Sequence, residues 1–412
     1  MGYPGRVYRD RGRSHTRANV GSARAAALYR GRVTPARDDT TPIHVPSELL
    51  PSDGRFGSGP SKIRAEAVDA LAAAAPTYLG TSHRREGVRA VVRRIRAGLT
   101  DLFGLPDGYE VMLGVGGTTV FWDAAVFGLI DRRSEHLSFG EFSAKFAAAA
   151  TGVPHLEDPR VIESAPGTHP ALREVPDVDV YAYPHNETST GVMTEVRRPD
   201  GVDAKQGLVV VDATSAAGGL RVDPMQFDVY YFAPQKVLGG EGGLWLACCS
   251  PAATERIERI AGSGRWIPPS LSLAIALENS RLDQTYNTPA LATLFLVADQ
   301  LDWLLGHGGL EWAASRCDRS AEIVYGWAES HRHAAPFVAK PDERSRVTAT
   351  IDFAEPIDAK WLAAQLRANA ILDTESYRKL GRNQLRIAMF PNIEPDDLAT
   401  LTRAIDYLIE RA

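Results

Sequence analysis

A mostly parallel α/β sheet covered by helices, followed by a smaller α+β domain, is the fold the sequence predicts, and three observations predict it. Short β-rich apolar runs alternate with helical stretches from Ile43 to about Leu305, the pattern of strands joined by crossover helices. Several of those runs are almost continuously apolar, as strands are when helices cover both sheet faces. Beyond about Ser330 the pattern changes to two strands and two helices.

In chain order, residues 87–102 read as a helix, 109–115 as a strand and 118–129 as the helix that follows it. Residues 179–184, 207–212, 228–233 and 243–249 read as further strands, and 286–330 as one long helical region. In the C-terminal part, 347–353 and 384–390 are expected strands, and 359–369 and 395–411 expected helices. The organisation expected is a basic extension over 1–42, a large domain over 43–305, a connecting helix over 306–330 and a small domain over 331–412.

Composition removes several function classes. The chain has 412 residues, 46 basic and 51 acidic, for a formal net charge of −5, so the whole molecule has no evident nucleic-acid or membrane-surface character. No run approaches the ~20 apolar residues of a spanning helix. Three cysteines, Cys248, Cys249 and Cys317, form neither a disulfide framework nor a metal spacing, and no metal site is expected. Their number and placement suit a reducing cytoplasm. The first forty residues carry nine Arg and three Asp. Such an acid-poor start suits a transit peptide, a nucleic-acid anchor or an extension without catalytic role; the last is the expectation.

The chemistry lies at strand ends. Val210-Val-Asp212-Ala-Thr-Ser sets a carboxylate just past an apolar strand, where an open parallel sheet places its ligand. The next strand leads through Ala233-Pro-Gln to Lys236, a candidate Schiff-base former, with Asp212 the partner that a pyridinium nitrogen needs. Upstream, Gly114-Val-Gly-Gly-Thr-Thr joins a strand to a helix and offers a phosphate seat. Each feature has an ordinary reading as a turn, a helix cap or a loop lysine. The three in this order form the constellation of a pyridoxal-phosphate enzyme.

Nine stretches carry a more specific resemblance. They are Phe56-Gly-Ser-Gly-Pro-Ser-Lys, Gly80-Thr-Ser-His-Arg, Gly116-Gly-Thr-Thr, Gly140-Glu-Phe-Ser-Ala-Lys-Phe, His185-Asn-Glu-Thr-Ser-Thr-Gly, Asp212-Ala-Thr-Ser, Ala233-Pro-Gln-Lys, Gln284-Thr-Tyr-Asn-Thr-Pro and Ser376-Tyr-Arg-Lys-Leu-Gly-Arg-Asn-Gln-Leu-Arg. Over residues 50 to 412 the sequence resembles the phosphoserine aminotransferases of the actinobacterial type, within the fold-type I, class V aminotransferases. The resemblance implies a fold-type I transferase with pyridoxal 5′-phosphate as cofactor. By it, Lys236 holds the cofactor covalently and moves the proton, Asp212 keeps the pyridine nitrogen protonated, Phe142 stacks on the ring and Thr188 bonds the phenolic oxygen. Thr118 and Thr119 take the phosphate with Gln235, and Asn287 and Thr288 reach it from a second subunit, so a homodimer with shared sites is implied.

The resemblance also assigns substrate recognition to Arg84, Arg378 and Arg386, with His83 and Tyr377 beside them. Planar guanidinium forks suit the phosphate and carboxylate of a phosphorylated keto acid. Relatives commonly carry His where Tyr377 stands and Asn where Val237 stands. Arg94 and Arg96 are expected to be solvated, and His185 to be structural.

The reaction expected is transfer of the amino group of L-glutamate to 3-phosphohydroxypyruvate, giving O-phospho-L-serine and 2-oxoglutarate in serine biosynthesis. The family often also handles a phosphorylated precursor of vitamin B6. Neither a membrane nor a nucleic acid is an expected partner. The alternatives are another class V transaminase of the alanine- or serine-glyoxylate kind, and a catalytically silent protein acting through its basic arm. A cysteine desulfurase is disfavoured, because all three cysteines fall in apparent core segments.

Overall fold

The computed structural model describes residues 42–173 and 177–412. The basic extension expected over 1–42 lies, Pro42 apart, outside the described residues.

Helices α1 (Ala65–Tyr78) and α2 (Glu86–Phe103) lead to strand β1 (Glu110–Val115), which turns into α3 (Thr118–Gly128). Then follow β2 (Ser134–Ser138), α4 (Glu141–Ala150), β3 (Arg160–Glu163), β4 (Val180–Pro184) and the short pair β5 (Asn186–Glu187) and β6 (Val192–Met193). Strands β7 (Leu208–Asp212), β8 (Val229–Phe232) and β9 (Leu244–Cys249) complete the large sheet. Helices α5 (Pro251–Ala261), α6 (Leu273–Arg281), α7 (Leu291–Gly306) and α8 (Gly309–Ser330) follow. The last elements are β10 (Ala334–Pro336), β11 (Thr348–Phe353), α9 (Ala359–Ala368), β12 (Gln384–Ala388) and α10 (Pro395–Ile409).

The seven-stranded sheet has the order β1-β9-β8-β7-β4-β2-β3. All pairings are parallel except those of β9, which runs antiparallel to both β1 and β8. The C-terminal ends of β1, β4, β7 and β8 therefore lie on one edge. Alternation along each strand feeds two cores. Val209, Val211, Tyr230 and Phe232 join the cluster under α2, α7 and α8, whereas Leu208, Val210, Val229 and Tyr231 join the one under α3, α5 and α6. The runs that read as continuously apolar are so because both faces are covered.

Several boundaries have local causes. Ser250 and Ser272 cap α5 and α6 by accepting from the N–H groups of Ala253 and Ile275, and Pro251 follows the first cap. The single helical region expected over 286–330 is two helices: Gly308 and Gly309 take φ values of 117° and 70° between them, a left-handed backbone open to glycine. Residues 286–290 precede the first of the two and are not helical. Strand β2, Ser-Glu-His-Leu-Ser, was not among the expected strands. It is fully buried although four of its five residues are polar, so hydropathy gave no sign of it.

The C-terminal part carries a three-stranded antiparallel sheet in the order β10-β11-β12. The chain before α1 is stitched onto this part. Ile43 N donates to Gln365 Oε1 at 2.7 Å, Leu372 N to Gly54 O at 2.7 Å and Ala388 N to Phe56 O at 3.0 Å. That path delivers residues 57–61 to the edge where the strands end. Arg94 is half exposed and pairs with Asp302. Arg96, expected to be solvated, is drawn inward instead: it donates to Asp283 Oδ1 at 2.8 Å and to the Val111 carbonyl at 3.2 Å. The three thiols are buried and unpaired. Among the described residues no helix is long and apolar enough to cross a membrane, and no cluster could hold a metal ion.

Candidate active site

A cavity of about 350 Å³ opens where β4, β7 and β8 end and α3 begins. Asp212 closes β7 and is buried; its Oδ1 accepts from Thr214 N at 2.9 Å and Thr214 Oγ1 at 2.5 Å. This is an Asx turn, set by an Asp two residues before a Thr. Burial pushes the Asp212 carboxyl up, while the Thr214 hydrogen bonds pull it back. Behind it, His185 N donates to the Asp212 carbonyl at 2.9 Å and its ring meets Tyr230 OH at 3.0 Å. Burial lowers the imidazole to about 3, so His185 is a neutral strut.

Lys236 lies four residues past β8 and enters the same cavity. Its Nζ donates to the Ser58 carbonyl at 2.5 Å and sits 5.9 Å from the centroid of Phe142. Burial, and then the nearby Arg386 charge, bring the amine down from 10.5 to about 8. Only a glycine fits beside it at position 59, since a methyl there would run into the lysine side chain, and φ is +133°. Ser61 Oγ donates to the Lys236 carbonyl and Ser61 N to that of Gln235 at 2.9 Å.

Thr118 and Thr119 form the first turn of α3 and line the cavity, as does Gln235. The N–H groups of a first helical turn have no partner within the helix. Thr188 also lines it and donates to Ser215 Oγ at 2.7 Å. From the C-terminal part come Tyr377, whose ring centroid is 5.9 Å from that of Phe142, and Arg386, whose guanidinium lies 5.4 Å over Tyr377. Arg386 Nη1 donates to the Thr188 carbonyl at 3.4 Å.

Five predicted residues lie elsewhere. Arg84 is exposed and donates to Gln284 Oε1 at 2.7 Å and to the Tyr286 carbonyl at 3.5 Å. His83 adjoins it; burial, then the Arg84 charge, lower its imidazole. Asn287 and Thr288 are exposed on the same corner and do not line this cavity. Arg378 is exposed at the start of a short helical turn, next to Lys379, which pairs with Glu141 at the head of α4.

The pattern of the aminotransferase class-V family matches residues 56–373. The chain belongs to that family. A phosphoserine aminotransferase of a Nocardioides species is 56% identical over 371 residues, covering 90% of this chain and 99% of that one. A solved phosphoserine aminotransferase of Cytophaga hutchinsonii superposes with a TM-score of 0.77 at 22% identity, over 87% of this class-V aminotransferase and 99% of the other. An alanine–glyoxylate aminotransferase of a Nostoc species gives 0.71 at 18%, over 90% and 97%. The fold is therefore that of fold-type I enzymes, and fold alone does not separate their substrates.

The cofactor of this class-V aminotransferase is pyridoxal 5′-phosphate. The cavity suits it. Asn186 Oδ1 and Gln235 Oε1, both in its wall, are buried without a partner among the described residues, as is Arg386 Nε near Tyr377. Buried polar atoms left open in this way call for a polar occupant. A lysine amine, an aspartate and the N-terminus of α3 face the same space, matching an aldehyde, a pyridine nitrogen and a phosphate.

Sequence reasoning did not single out several residues that shape this site. Ser58 holds the lysine amine, Thr214 the aspartate, Ser215 the Thr188 hydroxyl, and Glu187 the head of α4. All four fall inside quoted motifs, so the stretches were visible but the roles were not. Trp122 lines the cavity from α3 and donates to Tyr231 OH at 2.9 Å; nothing in its local sequence separates it from core.

Proposed function

We propose that the chain transfers the amino group of L-glutamate to 3-phosphohydroxypyruvate, yielding O-phospho-L-serine and 2-oxoglutarate, and works as a cytoplasmic homodimer in serine biosynthesis. When bound, pyridoxal phosphate supplies an electron sink for the charge left at the substrate α-carbon. Lys236 would hold it covalently. An amine brought down to about 8 is roughly a tenth neutral at pH 7, far more than an ordinary lysine, and the neutral amine is the form that attacks a carbonyl and accepts the α-proton. Asp212 would keep the proton on the ring nitrogen, Phe142 would cover one ring face, Thr188 would bond the phenolic oxygen, and Thr118, Thr119 and Gln235 would take the phosphate.

The observation that carries the substrate reading is Arg386. It is largely withdrawn from water beside Tyr377, and its Nε has no partner among the described residues. Burial lowers this guanidinium, and an anion would restore what desolvation costs it. Arg378, exposed next to Tyr377, and Arg84 offer further cations for a substrate with phosphate and carboxylate. The 56% identity to a phosphoserine aminotransferase supports the same reading.

The outer corner supports the dimer reading. Arg84, with His83 beside it, bonds the segment that carries exposed Tyr286, Asn287 and Thr288, and Leu79 and Leu282 are exposed in the same two stretches of chain, apolar exposure of the kind that marks an interface. Across a two-fold axis that corner would complete the partner's cavity. Unpaired buried thiols agree with a reducing compartment.

The test compares substrates. Arg378→Ala and Arg84→Ala should each lower kcat/KM for 3-phosphohydroxypyruvate by about ten- to a hundredfold, from ~1.5–3 kcal/mol per charge-assisted pair. Unphosphorylated hydroxypyruvate should lose much less. Equal losses, or a wild-type preference for glyoxylate or pyruvate, would replace this reading by a general class V transaminase.

A further inference from the structure

Glu187, which holds the head of α4, has no part in the chemistry assigned so far, yet it is completely buried one residue before Thr188. Its carboxylate accepts five hydrogen bonds. Oε2 takes Phe142 N at 3.1 Å, Ser143 N at 2.9 Å and Ser143 Oγ at 3.0 Å. Oε1 takes Ser189 N at 3.1 Å and Ser189 Oγ at 2.7 Å. No cation pairs with it among the described residues. What faces it is the positive end of α4, whose first-turn N–H groups point at Oε2. The approach is so close that a methyl on Gly140 would strike Cγ and Cδ of Glu187.

Two consequences meet in the cavity. Phe142 is the second residue of α4, so a carboxylate clamped on its own N–H fixes where its ring stands relative to Lys236 Nζ. The peptide that follows Glu187 presents the Thr188 carbonyl to Arg386 Nη1 and the Thr188 hydroxyl to the cavity. Phe142 of helix α4 and Glu187 lie 45 residues apart, and α4 meets the turn through this side chain and through Ser189 Oγ, which accepts from Glu141 N at 3.0 Å.

We propose that Glu187 is a positioning residue for the cofactor site, setting the Phe142 ring on one side of Lys236 and the Thr188–Arg386 contact on the other. The proposal rests on the reading that Lys236 and Phe142 flank the cofactor. A neutral amide of the same size keeps one acceptor and presents an NH2 group to donors, so Glu187→Gln loosens the clamp without emptying the space. In the purified holoenzyme, the visible circular dichroism of the bound cofactor should fall by about half or more. The kcat per bound cofactor should fall about tenfold while KM for L-glutamate changes less than about threefold.

A merely structural carboxylate would lower the melting temperature and leave the dichroism and kcat per cofactor at wild-type values; that result overturns the proposal. If Glu187→Gln does not fold, Gly140→Ala, which pushes on the same carboxylate, and Ser143→Ala, which removes one of its donors, should shift the dichroism in the same direction. Wild-type dichroism in both would equally overturn it. Lys236→Ala separates the two levels. Retention of the cofactor band and turnover in that variant defeats the underlying site reading, whereas loss of both together with a wild-type Glu187→Gln defeats the role of Glu187 alone.

Discussion

The cavity at the strand ends and the outer corner around Arg84 both hold residues expected at one active site, yet the chain treats them differently. Asp212 and Thr118 are buried and Lys236 is part-buried; Asp212 is held by its own turn through Thr214 N, and Lys236 by the Ser58 carbonyl of a distant segment. Arg84, Asn287 and Thr288 are exposed and bonded to one another's segment. Groups that must meet a cofactor in low dielectric are placed by the core, whose packing leaves them no alternative. Groups on the outer corner are placed by hydrogen bonds between two exposed segments. One chain therefore builds the candidate chamber and presents a separate set of side chains outward.

The largest test of that contrast is Lys236→Ala, which should lower transamination by more than about 10³-fold and remove the borohydride-reducible absorbance. Ordinary turnover would mean the buried region is not the chamber. The outer corner is tested by complementation. Lys236→Ala and Arg84→Ala subunits, each inactive or weak alone, should on mixing recover about a quarter of wild-type sites if Arg84 serves the partner of a two-fold dimer. If no activity appears after verified subunit exchange, Arg84 acts within its own chain and the contrast collapses.

A smaller effect sharpens the buried side. The Lys236 amine is lowered from 10.5 to about 8, so between those values the unfolded chain holds a proton that the folded chain has released. Stability of the cofactor-free protein should therefore rise with pH across that window, and the full cost of burying the ammonium is felt below it. Lys236→Met should be more stable than wild type by about 3 kcal/mol below pH 8, with the advantage vanishing above about 10.5. Denaturant melts at pH 7 and pH 10.5 measure it, and a difference independent of pH would contradict the burial argument. Smallest of all, Val237→Asn should reduce stability by about 1–3 kcal/mol, since Val237 is buried against Gly218 and Gly219 and an amide there needs new partners. An unchanged melting temperature would show that the loop repacks as freely as a surface segment.

The sequence by itself determined the doubly covered sheet and the two charged groups at its edge. Continuous runs such as Val209-Val-Val have only one comfortable environment, and parallel strands must end together, so Asp212 and Lys236 had to meet. It did not reveal β2, because polar residues buried in a strand carry no hydropathic signature, nor the inward turn of Arg96 towards Asp283. Tertiary structure alone decided that residues 57–61 would close over the lysine, that Glu187 would hold α4, and that Arg84 would lie with residues 284–286 rather than in its own cavity. Each of those outcomes depends on hydrogen bonds between segments tens to hundreds of residues apart. Local periodicity and turn chemistry report what a segment prefers, whereas such pairings arise only once packing has brought distant backbones within about 3 Å of one another.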